Sequence, residues 1–240
     1  MTENEIFTFM RCPLRYKYKY VDNYPECFPT PELCSINLEQ SYVNGMSSKD
    51  ALFSEALFQY NNWLKHKNKY RDSYQTNFKL GLFRIAEYIY ELYNVPNMKI
   101  RQPYEINCND LPIITGEVTY QDLYTYYDIF IISPDFQKSI MEDGIILSRF
   151  LLYSEYVYRA YLHKIYLEKI KPVNNICIFD TVNNEIIRVI SNFDINKFTS
   201  EIRSTIKSIE LQKEYKTFYK SFSSSCGHDC GYISLCINGG

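Results

Sequence analysis

No stretch of this 240-residue chain approaches the run of about 20 apolar residues that a membrane-spanning helix needs. Its opening, Met1 to Phe7, is acidic and polar, so it does not read as an export signal. A cytoplasmic protein is therefore expected, in the host cytoplasm if the source is viral. Neither sign of charge dominates. Lys and Arg number 26 against 28 Asp and Glu, so no global basic field draws nucleic acid, and any such surface must be local. Glycine is scarce, with 8 residues, while Tyr, Ile, Asn and Lys abound. That bias fits an AT-rich coding genome, such as that of a phage, a virus or a low-GC bacterium. The sequence has no Walker motif, no dinucleotide fingerprint and no Ser/His/Asp arrangement. Size imposes no need for a metal, because 46% hydrophobic content fills a real core at this length.

What the chain does have is an uneven spread of cysteine. Three of its eight cysteines, Cys226, Cys230 and Cys236, stand in the last fifteen residues, in SCGHDCGYISLC. Cys12 lies at the other end, in FTFMRCPLRYKYKYV. In a reducing compartment such clusters bind metal more readily than they form disulfides. The 226-x3-230-x5-236 spacing is not a helical stripe, and Gly227 and Gly231 let the backbone turn towards sulfur. Two centres suit the pattern. One is tetrahedral zinc, completed by His228 without Cys12. The other is a 4Fe-4S cluster with Cys12 as the fourth ligand. Spacing leaves both open. Cys27, Cys34, Cys108 and Cys177 show no ligand spacing, and burial as small hydrophobes is expected of Cys108 and Cys177.

The rest of the chain reads as one α+β domain over residues 1–240. Phe7, Met10, Leu14 and Tyr18 fall at helical spacing, with Pro13 breaking or restarting the turn. Residues 23–46, punctuated by Pro25, Pro29, Pro31 and Gly45, read as irregular. Ser47 and Ser48 cap a helix through Lys67 with a face of Leu52, Ala56, Tyr60 and Leu64. A second helix, Asn77 to Tyr93, carries Phe78, Leu82, Ile85 and Ile89, and Val95-Pro96-Asn97 ends it. Leu111–Thr119 and Leu123–Ser133 read as a hairpin about Tyr120-Gln121-Asp122. A long helix follows, about Ile145 to Lys171. Asn175–Thr181 and Glu185–Ser191 form a second hairpin at Asn183-Asn184. A last helix, Asp194 to Ser221, presents Phe198, Ile202, Ile206 and Ile209.

The N-terminal FTFMRCPLRYKYKYV, taken with the closing cysteine trio, resembles the iron–sulfur nucleases of the PD-(D/E)XK superfamily. These are the RecB-like nucleases of CRISPR adaptation, the AddB helicase–nuclease subunit and exonuclease V. More faintly, PYEINCNDLPIITGEV and LSRFLLYSEYVYRAYLHKIY are similar to that family's strand region and the helix after it. The resemblance implies a restriction-endonuclease-like core, a small central mixed sheet flanked by helices. It also implies a 4Fe-4S cluster on Cys12, Cys226, Cys230 and Cys236 that staples residues 1–21 to 222–240.

The family's catalytic residues are not matched. In DALFSEALFQY, Ser54 falls on the family's helix Gly and Phe58 on its His. In TGEVT, Thr119 stands where a metal-binding Asp is expected, and YYDIFIISPDF offers Asp128 or Asp135 without the lysine. Thr and Phe cannot replace a charged oxygen ligand of Mg²⁺. The expected role is thus a degenerate nuclease-like subunit, structural or nucleic-acid-binding, of a replication, recombination or transcription assembly. The alternatives are an active exonuclease with Glu117, Asp122 and Asp128 regrouped, and a zinc-stapled protein-interaction module. Arg11, Arg15, Lys17 and Lys19, interleaved with tyrosines, are the candidate nucleic-acid contacts. The tyrosine excess also suits a protein partner. His163 and His66 read as packed or solvated residues.

Overall fold

The computed structural model describes residues 1–26, 30–65, 72–107, 111–122, 128–131, 151–173, 177–181, 184–188, 195–221 and 230–238. Helix α1, Glu3–Arg11, starts on a full capping box. The Thr2 hydroxyl accepts from the Glu5 amide at 3.2 Å, and the Glu5 carboxylate accepts from the Thr2 amide at 2.7 Å. It stops at Cys12, whose extended backbone (φ −162°, ψ 112°) is what a residue before proline adopts. Pro13 then opens α2, Pro13–Tyr16, at its first position, and a π-helical turn, Lys17–Val21, continues it.

Residues 23–46 depart from expectation. They contain α3, Pro31–Val43. Pro31 sits in the first turn, where its missing N–H costs nothing, and the Thr30 hydroxyl caps the Leu33 amide at 3.2 Å. The proline that reads as loop punctuation is a helix start. Helix α4, Lys49–Lys65, is capped by Ser48, as expected. Helix α5, Asp72–Tyr93, buries Phe78, Leu82, Ile85 and Ile89, and Asn97 turns the chain with φ +61°. On α4 the buried stripe is Leu52, Ala56 and Trp63, with Tyr60 and Leu64 at its margin. Trp63 meets Phe78 at 4.6 Å between ring centroids, so indole volume sets the α4–α5 contact.

The strands pair differently from expectation. β1, Met98–Ile106, is antiparallel to β2, Ile114–Gln121, with a bulge between Lys99 and Gln102 where Arg101 takes φ +47°. The hairpin partner of β2 is therefore the strand before it. Pro103 and the bulge hide the alternation of β1, whose Tyr104 and Ile106 are buried. β3, Asp128–Ile131, runs parallel to β4, Cys177–Asp180, and β4 pairs antiparallel with β5, Glu185–Arg188. A parallel pair needs a crossover, and helix α6, Leu151–Leu167, lies in it. The second hairpin forms, but its last pair is Asp180 with Glu185, so four residues connect the strands, with Asn184 at φ +59°. Among the described residues there are thus two small sheets, ordered β1-β2 and β3-β4-β5, the second of them mixed. Together with the helices they make an α+β protein.

Helix α7, Ile195–Tyr215, buries Phe198, Ile202, Ile206 and Ile209 as its spacing predicts, and ends where Lys216 takes φ +53°. Helix α8, Ile233–Asn238, carries Cys236. One core collects α1, β1, β2, α6 and α7, and a second collects α3, α4 and α5. Among the described residues no helix is long and apolar enough to cross a membrane.

A buried polar junction fixes the start of α1. The Glu3 carboxylate accepts the Tyr104 hydroxyl and meets His163 Nε2 at 3.0 Å. All three side chains are buried. Burial alone would raise the Glu3 carboxyl pKa. The charges of His163 and Arg159 and the hydrogen bonds from His163 and Tyr104 outweigh it and hold the pKa below the usual value. Gly116 makes this reach feasible. It faces Tyr104 across the β1–β2 pair, and any Cβ there would lie 2.7 Å from the Tyr104 ring.

Candidate metal centre at the joined ends of the chain

Pro13 places Cys12 in the gap between α1 and α2, and the local backbone is fully engaged. The Cys12 amide donates to the Thr8 carbonyl at 3.0 Å, and its carbonyl accepts from Tyr16 at 3.0 Å. The C-terminal segment then comes alongside. The Leu14 amide donates to the Tyr219 carbonyl at 3.2 Å, and the Tyr16 and Phe218 rings stack with centroids 6.3 Å apart. Residues 230–238 close over the same place. The Tyr232 ring packs on Tyr18 at 5.8 Å, and its hydroxyl donates to the Tyr24 carbonyl at 2.9 Å.

Leu14, Tyr18 and Tyr232 form a small buried cluster, and packed against it are Cys12, Cys230 and Cys236, with Phe218 and Leu235. Three of the four sulfurs singled out by sequence, drawn from opposite ends of the chain, thus share one apolar, aromatic surround. The described cysteines here, and the buried Cys34, are thiols. Burial pushes the Cys34 thiol up to about 12, which makes it inert. Among the described residues no three or more His, Cys, Asp or Glu side chains are gathered tightly enough to hold a metal ion. Cys226 and His228, which would complete the set, lie outside the described residues, as do Cys27 and Cys108. The donor set and its setting suit a soft, thiolate-liking centre.

Burial, then Glu26, pushes the Tyr232 phenol up to about 12, with Cys230 acting in the same direction. Burial and then Cys236 raise that of Tyr18. Gly231 lets the chain lie against Glu26, since a Cβ there would stand 2.8 Å from Glu26 Cβ. Lys220 Nζ donates to the Cys236 carbonyl at 2.8 Å. Glu26, Lys220 and Tyr232 were not singled out from sequence. Only Gly231, a residue without a side chain beside a ligand candidate, hints at such a close approach.

The basic-aromatic run is split between the interior and the surface. Arg15 is only 4% exposed and lies 3.6 Å from Glu26. Lys19 shares that carboxylate at 3.6 Å, and Lys17 pairs with Asp22 at 2.7 Å. Tyr16 and Tyr18 are buried, and Arg11 is half-buried. Asp22 and Glu26, just beyond the run, neutralise much of it. Lys19, whose side chain is 38% exposed, still reaches solvent.

The acidic candidates Glu117 and Asp122 each pair with a basic side chain. Glu117 is clamped by Arg101, with Nε at 2.7 Å and a terminal nitrogen at 2.6 Å. Thr119 accepts from the Arg101 amide at 3.1 Å, and Asp122 meets Lys171 at 3.2 Å. Asp128 lies on β3, in the β3-β4-β5 sheet, whereas Glu117 lies on β2 of the other sheet. Ser54 donates to the Asp50 carbonyl within α4, and Phe58 faces solvent. Asp135 lies outside the described residues. No protein-family profile matches the chain, and no curated protein or solved structure matches it.

Proposed function

We propose that this chain is a catalytically silent domain of the restriction-endonuclease-like type, its two ends tied by a 4Fe-4S cluster. Cys12, Cys226, Cys230 and Cys236 hold the cluster. The domain serves a replication, recombination or transcription assembly, of phage or viral type, as a structural or nucleic-acid-binding subunit. The observation that carries this reading is the meeting of Cys12 with Cys230 and Cys236 on one buried cluster. When bound, the cluster supplies a cross-link between chain ends, stabilising the fold as structural metals do. The chain's own residues supply the rest. The α1–α2 break presents Cys12, Tyr232 docks the tail on Tyr18, and Gly231 admits Glu26. Support for silence comes from Glu117 and Asp122, which are committed to Arg101 and Lys171 rather than to an open cation site.

Anaerobically purified protein tests both parts. Elemental analysis is expected to find iron with acid-labile sulfide. Labelled single-stranded DNA is expected to survive incubation with Mg²⁺ or Mn²⁺. Colourless protein holding zinc would favour the Cys226, Cys230, Cys236 and His228 site instead. Cleavage abolished in a Glu117→Ala/Asp128→Ala double variant would show an active nuclease and end the silent reading.

A further inference from the structure

We propose that the outer groove between α4 and α5 is the contact surface of a two-fold dimer, occupied by a second copy of this chain. The two helices lie side by side. Lys49 Nζ meets Glu87 Oε1 at 2.6 Å, the Phe53 and Phe83 rings stand 5.4 Å apart, and Tyr60 meets Phe78 at 6.2 Å. The buried stripes of both helices face the core they share with α3. A surface helix carries polar residues outside such a stripe. Here Phe53 and Leu57 stand one turn apart outside it on α4, as do Leu80 and Phe83 on α5. Leu57 is 40% exposed and Leu80 44%, while Phe53 and Phe83 are half-buried. Apolar residues grouped on two neighbouring helices and open to water mark a contact surface.

The charges of the groove decide its occupant. Lys79 and Glu87 each stand four residues from Phe83, so cation and anion flank that ring on one face of α5. Lys79 Nζ lies 5.7 Å from the Tyr60 ring centroid, and among the described residues it forms no ion pair. Glu87 binds Lys49 yet keeps a side chain 43% exposed, and the exposed Asp50 and Glu91 add negative charge at that end. One end of the groove is thus acidic and the other basic. Two-fold symmetry about the Phe53–Phe83 pair lays the apolar residues of one copy on those of the other and turns each end onto its opposite. Lys79 then meets Glu87 of the second copy, twice per dimer. A partner of one charge sign, nucleic acid included, is repelled at one end of this groove. Nothing in this contact involves the sulfur centre.

The test is sedimentation equilibrium of the full chain, purified anaerobically, over a concentration series. The wild type is expected to pass from monomer to dimer as concentration rises. Leu57→Glu buries an unpaired carboxylate in the contact and is expected to raise the dimer Kd at least about tenfold. Lys79→Glu and Glu87→Lys each set like charges against one another, and each is expected to weaken association. Mixed in equal amounts they are expected to recover wild-type affinity as a heterodimer, which damage to either fold could not produce. A wild type that stays monomeric would overturn the proposal. So would a dimer that Leu57→Glu leaves intact, or a mixture that associates no more tightly than its components.

Discussion

Removing the Glu3 carboxylate is the sharpest perturbation of the fold that presents Cys12. In Glu3→Ala the Tyr104 hydroxyl and His163 Nε2 both lose their acceptor inside the core. Each hydrogen bond lost from a buried charged group costs about 1.5–3 kcal/mol. With both bonds gone the cost is about 3–5 kcal/mol in all. For a chain of 240 residues that lowers the thermal midpoint by roughly 6–20 °C. Glu3→Gln keeps an acceptor for Tyr104 but loses the charge, so its cost is smaller, about 1–3 kcal/mol. The pH dependence has a definite sign. The carboxyl pKa is held below its ordinary 4.5, so the wild-type advantage over Glu3→Gln is complete above that pH. It is lost as pH falls through the folded value. Urea unfolding at neutral pH and at steps below pH 4.5, followed by circular dichroism and by Trp63 fluorescence, measures both effects. Trp63 is the only tryptophan and lies in the other core, so it also reports whether the two cores melt together. A Glu3→Ala protein within about 1 kcal/mol of wild type would refute the role given to this junction. So would a gap to Glu3→Gln that does not narrow in acid.

Two further substitutions probe other junctions. Gly231→Ala drives a methyl against Glu26 and is expected to cost about 1–3 kcal/mol. The cost should appear as faster protease cleavage of the C-terminal tail, whereas unchanged cleavage would mean that Glu26 simply moves aside. Burial raises the Glu39 carboxyl pKa despite the Tyr93 hydroxyl that it accepts. Its ionised form is therefore disfavoured in the folded state, and its contribution to stability falls as pH rises. Glu39→Gln is expected to raise the unfolding midpoint, with a gain that grows as pH rises above 4.5 and levels off once the folded carboxyl has ionised; a gain that shrinks over that rise would contradict the sign.

The helices were largely legible in the sequence because their evidence is local. The spacing of Phe78, Leu82, Ile85 and Ile89, and of Phe198, Ile202, Ile206 and Ile209, survives any tertiary context. The strands were less so. β1 hides behind Pro103 and the Arg101 bulge, and β3 takes its partner from 49 residues downstream, Asp128 with Cys177. No local pattern reports that pairing. Helix α3 was missed because Pro31 means a helix start only if Thr30 is seen to cap it. At the site, cysteine spacing left open whether Cys12 joins the C-terminal trio, and the expectation that the two ends meet came from the resemblance. It did not foretell Glu26, Lys220 or Tyr232, whose roles depend on the approach of distant segments. The alternation of Arg15, Lys17 and Lys19 with tyrosines suggested an outer surface. Asp22 and Glu26, four or more residues beyond the run's centre, pair with these cations, and of the three only Arg15 is buried.

The central claim is that sulfur from both ends of the chain grips one inorganic core. Iron and acid-labile sulfide should be measured in anaerobically purified wild-type protein and in Cys12→Ala. The wild type is expected to hold about four of each per chain, with both largely lost from the variant. Wild-type iron content in Cys12→Ala, or a wild type that holds zinc and no iron, would contradict the account.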